Sequence, residues 1–101
     1  AKTIIDNYKI PPISEYDPEL GTTWCIPIKN SVKKSKNGKW FYTIDVIDSN
    51  SEVTRLRCWG VDPQRDHIFL NKPYVLKFPK YNDTWGFSTY GSVDKKWMMI
   101  A

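Results

Sequence analysis

The tetrapeptide Ser35-Lys36-Asn37-Gly38 constrains this chain more than any other feature. Asn-Gly suits the left-handed backbone of a tight turn, and here it lies between two runs of strand-forming residues, the strongest short-range signal for a β-hairpin. From Thr23 onward, Trp24, Ile26, Ile28 and Val32 share one parity while Lys29 and Lys33 share the other, which predicts a first strand with a polar outer side. After the turn, a second strand over about 39–48 places Tyr42, Ile44 and Val46 on one face and Phe41, Thr43, Asp45 and Ile47 on the other. Asp48-Ser49-Asn50-Ser51 makes a second turn. The third strand, Val53 to Trp59, points Thr54, Leu56 and Cys58 inward and leaves Arg55, Arg57 and Trp59 outward.

Gly60 closes that strand, and Asp62-Pro63 has the form of an N-cap and first position of a short helix reaching about Leu70. Asn71-Lys72-Pro73 ends it. Tyr74 to Pro79 reads as a fourth strand, Lys80 to Thr84 as a turn, and Trp85 to Val93 as a fifth strand softened by Gly86 and Gly91. The predicted fold is therefore all-β, with a short helix between strands three and four. Five strands sharing one small core avoid raw edges by closing into a barrel, whose open end the helix plugs. With 101 residues there is chain for one core. Residues 1–22, carrying Pro11, Pro12, Pro18 and Gly21 without a sustained period, form an extended lead-in that packs through Ile4, Ile5, Tyr8 and Ile13; residues 23–101 are the domain proper.

Five Trp, six Tyr and four Phe are more flat side chains than so small a core uses, so some rings are expected at the surface, where they mark binding. Charge is unevenly placed. The first 28 residues carry Lys2 and Lys9 against Asp6, Glu15, Asp17 and Glu19, a balance of −2, whereas the remainder carries thirteen basic and seven acidic residues, or +6. A basic, ring-rich unit suits a polyanion. Catalysis finds little support: His67, the sole histidine, sits beside Asp66 without a spaced nucleophile, and no glycine-rich phosphate loop precedes a helix. Cys25 and Cys58 read as small core residues, in no familiar zinc spacing and too few for a disulfide framework, so neither metal nor cofactor is expected. No apolar run approaches a membrane span and no signal pattern opens the chain, which points to the cytoplasm. The absence of an initiator Met and of a polar tail after Met98-Met99-Ile100-Ala101 suggests a piece of a larger protein.

The stretch Ile28 to Gly60, above all Asn37-Gly38-Lys39, Ile44-Asp45-Val46-Ile47-Asp48 and Leu56-Arg57-Cys58-Trp59-Gly60, resembles the oligonucleotide-binding (OB) domain of bacterial and phage DNA polymerase III alpha subunits. Roughly residues 23–93 fall under the comparison. A similar hairpin-strand-Asp pattern occurs in the anticodon-binding domains of class II aminoacyl-tRNA synthetases. The chain departs from the usual Asp-x-x-Gly turn, with Ser51 or Glu52 standing where Gly would. The resemblance implies a five-stranded Greek-key barrel whose nucleic-acid groove lies on the outer faces of strands two and three, between the loop joining strands one and two and the loop joining strands four and five.

A single strand exposes base faces and phosphates, so its binder needs flat rings with Arg or Lys beside them. Phe41, Trp59, Arg55 and Arg57 meet that requirement, with Thr43 as a small neighbour. Lys33, Lys34, Lys36 and Lys39 flank the hairpin, and Lys77, Lys80, Tyr81 and Trp85 repeat the mixture in the second loop. Each has a plainer reading. A Lys-rich turn is commonly just solvated, Arg55 and Arg57 can pair with Asp45 or Glu52 across the sheet, and Trp59 can cover the barrel rim as readily as stack on a base. Trp24, Trp40, Tyr42, Tyr74 and Phe78 are assigned to core or rim. Asp45 on the proposed face repels phosphate unless an arginine neutralises it. The expected partner is single-stranded DNA, with RNA as the variant, on a non-catalytic domain of a replication protein. The alternatives are a module that docks another replication protein through its exposed rings, and tRNA anticodon recognition.

Overall fold

Alternation over residues 40–47 and 54–59 organises the centre of the sheet. The computed structural model describes residues 8–84 and 86–100. In it β1 (Thr22–Lys34), β2 (Trp40–Ile47) and β3 (Thr54–Trp59) form an antiparallel meander. Tyr42, Ile44, Val46, Leu56 and Cys58 are buried, while Phe41, Thr43, Asp45, Arg57 and Trp59 stay partly exposed on the other side. The expected facing of both strands holds. The expected hairpin holds too: Gly38 N–H donates to the Ser35 carbonyl and Ser35 N–H to that of Lys39.

The facing of β1 needs correction over its first half. Thr23, Cys25 and Pro27 are its buried residues, not Trp24, Ile26 and Ile28. Pro27 has no N–H for the ladder, and the register slips there: Pro27 pairs with Val46 and Lys29 with Asp45, leaving Ile28 as the extra residue of a bulge. One extra residue exchanges the two faces. Beyond it Lys29 and Lys33 lie outward, as expected, while Val32, expected on the inner side, is half exposed.

The turn after β2 is built on Asp48, which is 5% exposed. Its carboxylate accepts from Ser14 N–H and Asn50 N–H, both at 2.9 Å, and its carbonyl accepts from Ser51 N–H. Burial opposes the charge, but the hydrogen bonds from Ser14 and Asn50 outweigh it and hold the Asp48 carboxyl below its ordinary value. Ser51 has φ 59°, the left-handed conformation a glycine would take without strain. The same carboxylate anchors the lead-in: Ile13 is 1% exposed, in a single 3-10 turn (Ile13–Glu15), and Thr23 Oγ1 donates to the Pro11 carbonyl. Tyr8 is exposed rather than packed, and Ile4 and Ile5 lie outside the described residues.

The helix expected from Pro63 to about Leu70 does not form; residues 61–73 are turns and irregular chain. Asp62 does act as the start of a turn, its side chain accepting from Gln64 N–H and its carbonyl from Arg65 and Asp66 N–H. The turn stops because the next polar groups are claimed one by one. Asp66, 5% exposed, accepts from Asp62 N–H at 2.7 Å and from Val93 N–H at 3.1 Å, and the Asp66 carbonyl accepts from the Tyr42 hydroxyl. Phe69 N–H donates to the Tyr74 hydroxyl, and Asn71 N–H to the Pro27 carbonyl. The segment runs as irregular chain and sinks Val61 and Ile68 into the core.

The remaining chain makes four strands where two were expected, seven in all among the described residues: β4 (Tyr74–Lys77), β5 (Lys80–Asn82), β6 (Gly86–Tyr90) and β7 (Trp97–Met99), with the short helix α1 (Val93–Lys96) before β7. The break between β4 and β5 falls at Phe78, whose φ is 50°. Its ring lies over Gly21, where a Cβ would come within 2.5 Å of it. The strand order is β5-β6-β3-β2-β1-β4-β7, with β3 and β6 parallel and the other pairs antiparallel. In a flat sheet β5 and β4 would stand five spacings apart, about 24 Å. Only Phe78 and Pro79 join them, a span of about 11 Å at most, so the mixed sheet curls into a half-barrel. Leu56, Ile44, Leu76, Tyr74 and Trp97 fill it, and Trp97 Nε1 donates to Thr89 Oγ1 at 3.1 Å.

Candidate nucleic-acid interface

The registers of the curled sheet bring outward residues into rows. Lys33, Phe41, Trp59 and Tyr90 stand in line across β1, β2, β3 and β6; Ser31, Thr43, Arg57, Ser88 and Lys80 form the next row, and Lys29, Asp45 and Arg55 the third. In the first row the rings of Phe41 and Trp59 are stacked, with centroids 4.2 Å apart and planes 23° from parallel. Tyr90 beside them is 53% exposed. Their neighbourhood depends on Gly60, which has φ 77° and would place a Cβ 3.3 Å from Gly91 N. That close approach, with Gly91 N–H donating to the Trp59 carbonyl at 2.9 Å, draws the ends of β3 and β6 together.

These rings floor a groove of about 660 Å³. One wall is the hairpin, with Lys34, Ser35 and Lys36; the other is β5 and β6, with Lys80, Asn82, Ser88 and Tyr90; Arg57 lies between them. Each wall sets an ammonium against a ring: Lys34 Nζ is 5.2 Å from the Trp40 ring centroid, and Lys80 Nζ is 5.6 Å from that of Tyr90. A second hollow of about 590 Å³ lies beyond Trp59 and Tyr90, which line both, and takes in Lys39 and Trp40. Trp59 thus forms part of a ridge between two open depressions.

Of the expected residues, Lys34, Lys36, Phe41, Arg57, Trp59 and Lys80 converge on the groove. Lys39 belongs to the neighbouring hollow, and Lys33, Thr43 and Arg55 to a shallow third one of about 100 Å³. There Arg55 Nε meets Asp45 Oδ1 at 3.0 Å, so the Asp45 carboxylate is neutralised and Arg55 is engaged. Tyr81 turns to the opposite side of β5 from Lys80, its ring edge to face with that of Phe87 at 5.0 Å between centroids. Lys77 lines a cavity on the far side of the barrel. Trp85 lies outside the described residues.

Tyr90, Trp40, Asn82 and Ser88 were not among the expected residues. Trp40 has the parity of the buried Tyr42, but it stands where the hairpin has run past the core and is 44% exposed; its adjacency to the Gly38-Lys39 turn was the available signal. Phe78, likewise expected in core or rim, is 66% exposed.

His67 lines the cavity on the far side. Burial pushes the Cys25 and Cys58 thiols above their ordinary value, and both are free. No cluster of metal-binding side chains occurs among the described residues, and none of their helices is long and apolar enough to cross a membrane. Comparison of the chain with protein-family models, with curated proteins and with solved structures finds no match in any of the three.

Proposed function

We propose that this domain binds single-stranded nucleic acid, DNA in the first place, in the groove between the hairpin and β5–β6, as a non-catalytic part of a replication protein of the polymerase III alpha kind. The observation that carries this reading is the stacked pair Phe41–Trp59, continued by exposed Tyr90 and flanked by Lys34, Lys36 and Lys80. Rings offer sequence-tolerant stacking and the ammonium groups follow the phosphates on either side. An OB barrel is supported by the sheet once β4 and β5 are taken as one strand bent at Phe78–Pro79 and β7 as an appendage, which reduces seven strands to five.

The test is a fluorescence anisotropy isotherm with a labelled thymidine octanucleotide over a salt series. Three lysine contacts predict a log–log slope of about −2, from roughly 0.7 per phosphate on a single strand. Arg55→Ala should weaken binding by unmasking the Asp45 carboxylate, whereas Arg55→Ala with Asp45→Ala, which removes the pair as a neutral unit, should leave the isotherm nearly unchanged. Salt-independent binding, or none at millimolar protein, would remove the groove from consideration. A marked preference for an RNA stem-loop would favour the anticodon reading instead.

A further inference from the structure

The far side of the barrel carries a second basic and apolar surface of different make. A cavity of about 380 Å³ lies along α1 and β7, where Phe69, Met98 and Met99 are exposed and Lys77, Lys95 and Lys96 stand around them, with Asp94 the one carboxylate in its lining. Its two other large rings, Tyr74 and Trp97, are 3% and 4% exposed and meet edge to face, so they present no surface to a base.

β7 also ends the sheet, with no strand on its outer edge among the described residues. Ile100 N–H donates to the Pro73 carbonyl. The two-residue alternation of an antiparallel ladder therefore turns Met98 toward β4 and leaves the Met99 N–H and the carbonyls of Trp97 and Met99 on the open edge. The Trp97 N–H is taken by the Val93 carbonyl at the end of α1. Open backbone groups pair with a peptide backbone, thioethers adapt to aliphatic side chains, and the surrounding ammonium groups select carboxylates.

We infer that this face docks an extended acidic peptide segment of another protein, which adds as a strand to β7 with its apolar side chains on the Met99 and Phe69 side and its carboxylates on the other, toward Lys77, Lys95 and Lys96. The site is separate from the groove and stands whether or not the groove binds nucleic acid. Nucleic acid fits this face less well, since an exposed stacking ring is limited to Phe69 and the open backbone edge has no counterpart on a phosphate chain.

The probe is an acetylated and amidated hexapeptide alternating aspartate with isoleucine, added to the isotopically labelled chain and followed by NMR. The expected result is a set of shifts confined to Phe69, Lys77 and residues 95–99, with slowed hydrogen exchange at the Met99 amide. Lys77→Glu with Lys95→Glu should weaken binding about tenfold, through loss of two attractions and gain of two repulsions near the surface. The Trp97 indole signal of that variant reports whether its fold is kept. Trp59→Ala should not change peptide affinity. The inference is overturned by an absence of shifts at millimolar peptide, by equal binding of the counterpart alternating lysine with isoleucine, or by peptide shifts that map to the groove. It is also overturned if a thymidine oligonucleotide displaces the peptide from this face.

Discussion

The two walls of the groove present similar chemistry, an ammonium against an aromatic ring, yet they are held by different means. The hairpin wall, with Lys34 over Trp40, belongs to one contiguous stretch whose turn and alternation are local. The β5–β6 wall, with Lys80 over Tyr90, exists only because β6 runs parallel to β3, Gly60 meets Gly91, and the chain bends at Phe78. A local wall survives small errors elsewhere in the fold, whereas a wall made by long-range pairing does not. The groove's width is thus set by the part of the molecule with the least local structure of its own.

The strongest way to break the comparison is to strike beneath both walls. Leu56 is fully buried and pairs with Ile44 on one side and Phe87 on the other, so Leu56→Ala should cost about 2–5 kcal/mol of stability by urea unfolding and lower oligonucleotide binding of both walls together. Trp59 stands where the walls meet. Trp59→Ala should weaken binding by about 1–3 kcal/mol, roughly 5- to 150-fold in the isotherm, with Tyr90→Ala toward the lower end because a phenol ring offers a base less stacking area than an indole.

An acid-sensitive clamp lies outside both walls, at the turn after β2 that ties down the lead-in. Folding holds Asp48 below its ordinary value, so its contribution is complete above the ordinary carboxylate range near pH 4 and is lost as the pH falls through the folded value. Asp48→Asn should therefore cost about 1–2 kcal/mol in thermal melts near neutrality, and the gap from the parent chain should close on acidification. A gap that persists at low pH would place the clamp's worth in shape rather than charge. The smallest effect is at the turn beside it: Ser51→Gly relieves a left-handed backbone and should raise stability by about 0.5 kcal/mol, less than the full relief because glycine also loosens the unfolded chain.

What could be read before any coordinates follows the same division. Asn37-Gly38 and the alternation of Phe41 to Ile47 and Arg55 to Trp59 were legible because each rests on neighbours in the chain. Pro27 hid a bulge, and with it the facing of Trp24 and Ile26, because parity reasoning carries no signal for one extra residue beyond the proline itself. The expected helix after Pro63 failed because distant groups engage the segment: the Tyr42 hydroxyl takes the Asp66 carbonyl, Val93 N–H its carboxylate, and the Pro27 carbonyl the Asn71 N–H. Lys80 and Tyr81 looked equivalent as turn residues. Once β5 forms, adjacent residues face opposite ways and only Lys80 reaches the groove. Tyr90 could not be placed beside Trp59 without knowing that β6 pairs with β3.

The central claim is that both walls act as one site, and the most direct measurement follows both at once. A labelled chain titrated with a thymidine octanucleotide at low salt reports the Trp59 indole and the amides of Lys34 and Phe41 on one side and of Lys80 and Tyr90 on the other. The account predicts that all of them shift along curves with a single dissociation constant; shifts limited to the hairpin wall, or two separate constants, would contradict it.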